Sequence, residues 1–156
     1  MMALFACVYP SPVGALTLCA DDAALVSLSF GAHIPAHAEV CETALLADAK
    51  RQLDAYFQGK LSSFSLPLDA RGTLFQTRVW DALREIPYGQ VRTYAGIAAR
   101  IGSPKAVRAV GQANHVNPLP IFIPCHRVVR TGGALGGYAG GEAVKRFLLT
   151  LEGVRL

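Results

Sequence analysis

The stretch Thr93-Tyr94-Ala95-Gly96-Ile97-Ala98-Ala99-Arg100-Ile101-Gly102-Ser103-Pro104-Lys105-Ala106-Val107-Arg108-Ala109-Val110 predicts two short helices joined by a glycine turn. Thr93 is placed to cap the first, Tyr94 to Ile101, which Gly102 closes. Ser103 and Pro104 open the second, with Ser at the N-cap and Pro at the first helical position, where its missing N–H costs nothing. Two short helices around a tight glycine turn predict a helix-turn-helix. At about 100° per residue, Val107 and Val110 of the second helix face a core, while Lys105, Ala106, Arg108, Ala109, Gln112 and Ala113 share the outer side. An alanine face with one Arg and one Lys lets a partner's backbone come close, offers phosphate contacts and supplies one guanidinium that could be inserted. An ordinary alanine-rich surface helix has the same composition.

Upstream, Thr73 and Gln76 form a capping box for a helix whose inner face is Phe75, Val79, Leu83 and Ile86; Pro87 stops it. Downstream, Ile121-Phe122-Ile123 reads as a buried strand. Pro118, Pro120 and Pro124 forbid a regular ladder around it, so it should run into a fixed irregular loop. Thr131-Gly132-Gly133 and Gly136 to Gly141 then supply backbone that can approach a ligand closely. A last helix, Glu142 to Glu152, is expected to bury Val144, Phe147, Leu148 and Leu151.

Before residue 69 the pattern changes. Val13 to Ala20 and Ala23 to Phe30 read as strands joined by a hairpin turn at Asp21-Asp22. A helix follows, with Leu45, Leu46, Ala49, Leu53 and Tyr56 on its inner face and Gly59 as its stop. Ser62 to Leu68 is expected to be extended. The fold expected is an α/β domain over residues 1–68, a small antiparallel sheet plus a helix. A mostly helical, winged-helix-like domain with the helix-turn-helix follows over residues 69–156.

The charge changes sign at the same boundary. Residues 1–66 hold three basic and six acidic side chains, whereas residues 67–156 hold twelve basic, ten of them arginine, against five acidic. That asymmetry suggests a polyanion surface on the C-terminal part. With 156 residues and 52% hydrophobic composition the chain can bury a core, which excludes disorder. No stretch reaches the roughly 18 apolar residues of a membrane span. The apolar start lacks a basic region and meets Pro10 and Pro12 at once, so no secretory signal is expected. Cys7, Cys19, Cys41 and Cys125, far apart and without a CxxC, suit a reducing cytoplasm. The four histidines show no zinc-ligand spacing, and neither a P-loop nor a dinucleotide fingerprint is present.

Two residues stand out chemically. Cys125 lies between Pro124 and His126-Arg127, where a nearby cation or imidazole would favour its thiolate. Glu152 falls in the last turn of the final helix, against the macrodipole, where it could hold His126 in one tautomer and complete a Cys–His–Glu relay. A small buried hydrophobe and a solvated helix end are the plain alternatives.

Pro124-Cys125-His126-Arg127-Val128, preceded by Asn117-Pro118 and followed by Gly137-Tyr138-Ala139-Gly140-Gly141, resembles the active-site signature of the 6-O-alkylguanine-DNA alkyltransferases, also called methylated-DNA–protein-cysteine methyltransferases. The resemblance extends back through Arg92-Thr93-Tyr94 and Pro104 to Val110, and forward to Leu148-Leu149 and Glu152-Gly153, about residues 73–153. It implies that Cys125 accepts the alkyl group, that His126 draws off its proton through a water, and that Glu152 orients His126. Asn117 would brace the turn before the active-site segment. Tyr94 would bond the base at N3, the carbonyls of Cys125 and Val128 would take its exocyclic amine, and the Ala139 N–H would meet O6, with Tyr138 beside them. Arg108 would fill the stack left by the flipped base, and Ser103, Lys105, Ala106 and Ala109 would meet the DNA minor groove.

The function implied is direct reversal of O6-alkylguanine, with O4-alkylthymine as a second lesion, in a single irreversible transfer. No cofactor, metal, membrane or protein partner is expected, and double-stranded DNA is the partner. The residues before Asn117-Pro118, Asn114-His115-Val116, depart from the small or basic residues often seen there. Two other functions share parts of the pattern: a lesion-binding alkyltransferase-like protein, which lacks the acceptor cysteine, and a thiol hydrolase using Cys125, His126 and Glu152. The repair reading requires an ionised sulfur beside a cavity that admits a purine.

Overall fold

A computed structural model describes residues 2–156. The chain divides after Arg71 into two compact units. Among the described residues no helix is long and apolar enough to cross a membrane.

The first unit is a four-stranded sheet with one helix. Strands β1 (Phe5–Ser11), β2 (Gly14–Ala20), β3 (Leu25–Phe30) and β4 (Glu39–Val40) lie in the order β3-β2-β1-β4. The first three are antiparallel, and β4 adds a two-residue parallel edge through Phe5–Glu39 and Ala6–Val40. Sequence reading missed β1 because Pro10 and Pro12 look like breakers. Pro10 sits opposite Ala15, whose carbonyl bonds Gly31 on the far side at 2.8 Å. Proline's missing donor therefore faces away from β2, beyond the reach of short β4, where nothing is lost. Ala23 and Ala24 belong to a turn rather than a strand, because the Asp21 carboxylate accepts both their N–H groups at 2.8 Å. Helix α1 (Ala44–Phe57), capped by Thr43, buries Leu46, Ala49, Leu53 and Tyr56. Its Asp54 accepts the Tyr9 hydroxyl of β1 at 2.6 Å. Ser62 to Leu68 is irregular rather than extended: the Gln52 amide holds Ser65, and Leu68 alone bridges to Leu25.

The second unit is built on α2 (Leu74–Arg84), α3 (Tyr94–Arg100), α4 (Val107–His115) and α5 (Glu142–Leu151). The Thr73–Gln76 capping box is complete, and Thr93 caps α3 by accepting the Gly96 N–H. Strands β5 (Arg92–Thr93) and β6 (Val128–Val129) pair in parallel. Helices α3 and α4 form the helix-turn-helix, buttressed where the Trp80 indole of α2 donates to the Ala113 carbonyl at 2.9 Å.

Three expectations about this unit are corrected. Ser103 is not the cap of α4: Ser103 to Ala106 form a separate turn closed by Ala106 N–H to Ser103 carbonyl, and the helix starts at Val107 without a side-chain cap. Ala113 lies inside because, three residues on from buried Val110, it shares that face of the helix, while Val107 is exposed. In α5 the inward stripe is Lys145, Leu148 and Leu149, and Phe147 is 40% exposed. Ile121-Phe122-Ile123 is not a strand but a buried turn with Ile121 at φ 75°. The flanking prolines leave no ladder, and the loop closes on itself through Ile123 N–H to Leu119 carbonyl, 2.8 Å.

Candidate active site and nucleic-acid interface

Pro124 decides where the candidate nucleophile points. Its φ of −80° and ψ of 65° make an inverse γ-turn, closed by Cys125 N–H to Ile123 carbonyl at 2.7 Å. A 3₁₀ turn, Cys125–Arg127, follows and swings His126 and Arg127 inward before β6 begins. Asn117 pins the approach: its Nδ2 donates to the Ile123 carbonyl at 2.8 Å and its Oδ1 accepts from the Leu119 N–H at 3.0 Å. The side chain of Asn114, on α4, donates to the Cys125 carbonyl at 3.3 Å.

Beneath the turn lies a buried polar cluster. Glu152 caps the C-terminus of α5 and is 4% exposed, so its charge opposes the helix dipole inside the protein. Arg127 offsets this: its Nε donates to Oε1 at 2.8 Å, its Nη2 to Oε2 at 3.1 Å, and its Nη1 to the Ile86 carbonyl at 2.7 Å. His126 Nε2 lies 2.7 Å from Glu152 Oε2. A carboxylate only accepts, so that ring nitrogen carries the proton and Nδ1 presents its lone pair. Nδ1 is buried and has no protein partner. Burial holds the His126 pKa below the ordinary imidazole value, against the raising effect of Glu152, so the ring is neutral at neutral pH.

The Lys145 ammonium is fully buried and donates to the Val128 carbonyl at 2.6 Å and the Gly137 carbonyl at 3.3 Å, spanning the glycine-rich loop. It lies 5.9 Å from the Tyr94 ring centroid. Burial lowers its pKa to about 8. Burial also pushes the Cys125 thiol up to about 11, against the Asn117 amide, the Lys145 charge and the backbone N–H groups of Cys125 and His126. The resting sulfur is therefore a thiol, which corrects the expectation of an ionised one: packing removes water faster than the nearby donors replace it.

A groove of about 890 Å³ opens on this face, lined by Tyr94, Val107, Arg108, Gln112, Asn114, Arg130 and Gly137 among others. Cys125 is 2% exposed and sits behind that wall, among polar neighbours. Tyr94 is held tightly, because a Cβ on Gly136 would come within 2.8 Å of its hydroxyl; Gly136 also has φ 79°.

Of the residues singled out from sequence, Cys125, His126, Glu152 and Asn117 meet in this cluster. The Val128 carbonyl and Tyr94 border it, and the Tyr138 ring stands edge-on to His126 at 6.5 Å. Ala139 is exposed in the adjoining loop. Arg108 lines the groove; Lys105 and Ala109 are exposed, and Ser103 and Ala106 half-buried, in or beside the turn before α4. Sequence reading missed Arg127, Lys145 and Asn114. For Lys145 a signal existed: 145, 148, 149 and 152 form one i, i+3, i+4, i+7 stripe, polar at both ends. Among the described residues no group of three His, Cys, Asp or Glu side chains could hold a metal ion.

A helix-turn-helix domain that buries a Pro-Cys-His-Arg turn beside its groove is the class that fold and site define. Residues 74–154 match the family described as 6-O-methylguanine DNA methyltransferase, DNA binding domain, and residues 4–70 its ribonuclease-like domain. A methylated-DNA–protein-cysteine methyltransferase of Methanosarcina acetivorans is 46% identical, over 96% of this chain and 99% of its own length. The constitutive enzyme of that name from Bacillus subtilis is 61% identical over 71% of this chain and 68% of its own. The crystal structure of Mycobacterium tuberculosis OGT in complex with DNA superposes with a TM-score of 0.90 at 44% identity, covering 96% of this chain and 93% of that one. The chain belongs to the methylated-DNA–protein-cysteine methyltransferase family. It is a DNA-binding repair enzyme that moves an alkyl group from DNA to a cysteine.

Proposed function

We propose that the acceptor is Cys125, and that the substrate is O6-alkylguanine flipped out of duplex DNA, with O4-alkylthymine a second lesion. The carrying observation is the His126–Glu152–Arg127 cluster directly after Cys125, with His126 Nδ1 buried and unpartnered. An orphan basic nitrogen there suits removal of the thiol proton, directly or through one water. The sulfur then attacks the alkyl carbon; the C–S bond forms as the C–O6 bond breaks, and the electron pair leaves with the base. The thiol proton rests on His126, and a hydrogen bond from Tyr94 to N3 steadies the departing guanine. The product is an alkyl thioether, which, unlike a thioester, offers water no carbonyl to attack and only a poor leaving group, so the transfer would be irreversible and stoichiometric.

The alkyl group lies within the base stack, so the nucleotide must turn out of the duplex, at a cost of a few kcal/mol. Arg108, lining the groove from the first turn of α4, would occupy the vacated place from the minor-groove side. The small Ala106 and Ala109 and the exposed Lys105 fit close phosphate approach, and Ser103 lies in the same turn.

The test is a duplex with a labelled methyl on guanine O6. One equivalent of label on Cys125, lost in Cys125→Ala with DNA binding retained, supports the proposal; label on another residue, or repeated turnover, overturns it. Arg108→Ala should slow transfer from duplex at least about tenfold while leaving reaction with free 6-O-benzylguanine nearly unchanged, since only the duplex needs extrusion. Equal slowing of both removes the finger role.

A further inference from the structure

We infer that Arg130 grips a phosphate flanking the everted nucleotide, so that the groove holds the turned-out nucleotide by its backbone as well as by its base. The inference rests on the substrate class proposed above. Arg108 and Arg130 are the two arginines lining the groove, and no carboxylate lines it with them. Elsewhere in residues 72–156 arginines are spoken for: Arg78 donates to the Ile101 carbonyl, Arg100 pairs with Glu85, and Arg127 with Glu152. Among the described residues the exposed Arg130 guanidinium meets no such acceptor. Its backbone, by contrast, is pinned. Arg130 directly follows β6, and its N–H donates to the Ala134 carbonyl at 2.8 Å while its carbonyl accepts from the Gly133 N–H at 3.0 Å. Gly132 and Gly133, both at φ 94°, make so tight a turn possible.

The surroundings of Arg130 call for an anion. Burial raises the Tyr94 pKa and lowers that of Lys145; the Arg130 charge acts on both, against the first shift and with the second. A guanidinium at the groove and an ammonium buried behind it thus repel each other, and an anion seated against Arg130 relieves both. The lesion says which anion. An O6-alkylated guanine base is neutral, so the charge of the ligand lies in its phosphodiester backbone. Arg108 is taken up by the gap in the stack. Arg130 stands beside Tyr94, where the sugar and phosphates of a base seated on that ring would leave the groove, and its planar fork matches two phosphate oxygens.

Single-turnover transfer at subsaturating DNA is compared for the wild-type chain and Arg130→Gln. The substrates are an O6-methylguanine duplex, the same single strand, and free 6-O-benzylguanine, which has no phosphate. The ratio of DNA rate to free-base rate does not depend on the fraction of protein folded. Arg130→Gln should lower it about tenfold for duplex and single strand alike. A neutral methylphosphonate is then placed 5′ or 3′ of the lesion. At one of these positions it should slow the wild-type chain about tenfold and Arg130→Gln less than twofold, because the partner of that phosphate is already gone. A fall in the ratio below threefold overturns the inference. So does a fall confined to duplex, which marks a stack-filling role, or equal slowing of both proteins by each methylphosphonate, which marks a diffuse charge effect. Absence of label on Cys125 in the wild-type chain overturns the underlying function instead.

Discussion

The two units bury their polar groups very differently. In residues 1–71 the buried polar side chains are Thr17 and Asp21, both satisfied by turns near the sheet edge. In residues 72–156 they are Asn114, Asn117, His126, Arg127, Lys145 and Glu152, drawn together around one cysteine. Ordinary stability needs only the first pattern, an apolar sheet against an amphipathic helix. Several buried charges within a few ångströms cost free energy that an all-apolar core would not. Chemistry explains their retention where packing does not.

Breaking Glu152 tests the contrast hardest. Glu152→Ala strands a buried guanidinium and frees His126, so denaturant unfolding should show a loss of about 3–5 kcal/mol. Alkyl transfer should fall with it. A loss below about 1 kcal/mol, the size expected of a solvated pair, would mean the cluster is not the linchpin of its unit.

Lys145 gives an intermediate effect with a pH signature. Its folded pKa of about 8 lies below the ordinary 10.5, so between those values the unfolded chain binds more protons, and stability from this group rises with pH. Cys125 works in the opposite sense above pH 9, since burial raises its folded pKa. Melting temperatures between pH 8 and 9 should therefore climb more in the wild-type chain than in Lys145→Met. Parallel curves would mean that the ammonium is not strained by its surroundings.

The smallest effect belongs to the first unit. Tyr9→Phe removes the 2.6 Å bond to Asp54 and should cost about 1 kcal/mol, measured by the same unfolding experiment. A cost approaching that of Glu152→Ala would erase the distinction between the units.

How much of this was legible in the sequence follows the same division. The helices were readable because caps and periodicity are local: Thr73 with Gln76, Thr93, and the Leu46–Ala49–Leu53–Tyr56 stripe all stand as expected. Strand β1 was hidden because a proline is harmless only if its nitrogen faces an open edge, which depends on a partner strand. Cys125, His126, Asn117 and Glu152 were named from sequence, yet Arg127 and Lys145 were not. A charged residue reads as solvent-facing until the carboxylate or carbonyls that hold it, 25 or 17 residues away, come into view. The protonation state of the sulfur was equally out of reach, because desolvation is a property of the whole fold.

Ile121 bears on protein engineering. A β-branched side chain, almost fully enclosed, occupies a backbone hand that suits glycine or asparagine. Glycine there would ease the dihedral and empty the space; valine would keep most of the bulk and all of the torsional conflict. Mutational scanning at position 121 should thus return few survivors for reasons unrelated to reactivity. Laboratory evolution aimed at new leaving groups would do better to vary the groove residues and leave this hinge of the loop untouched.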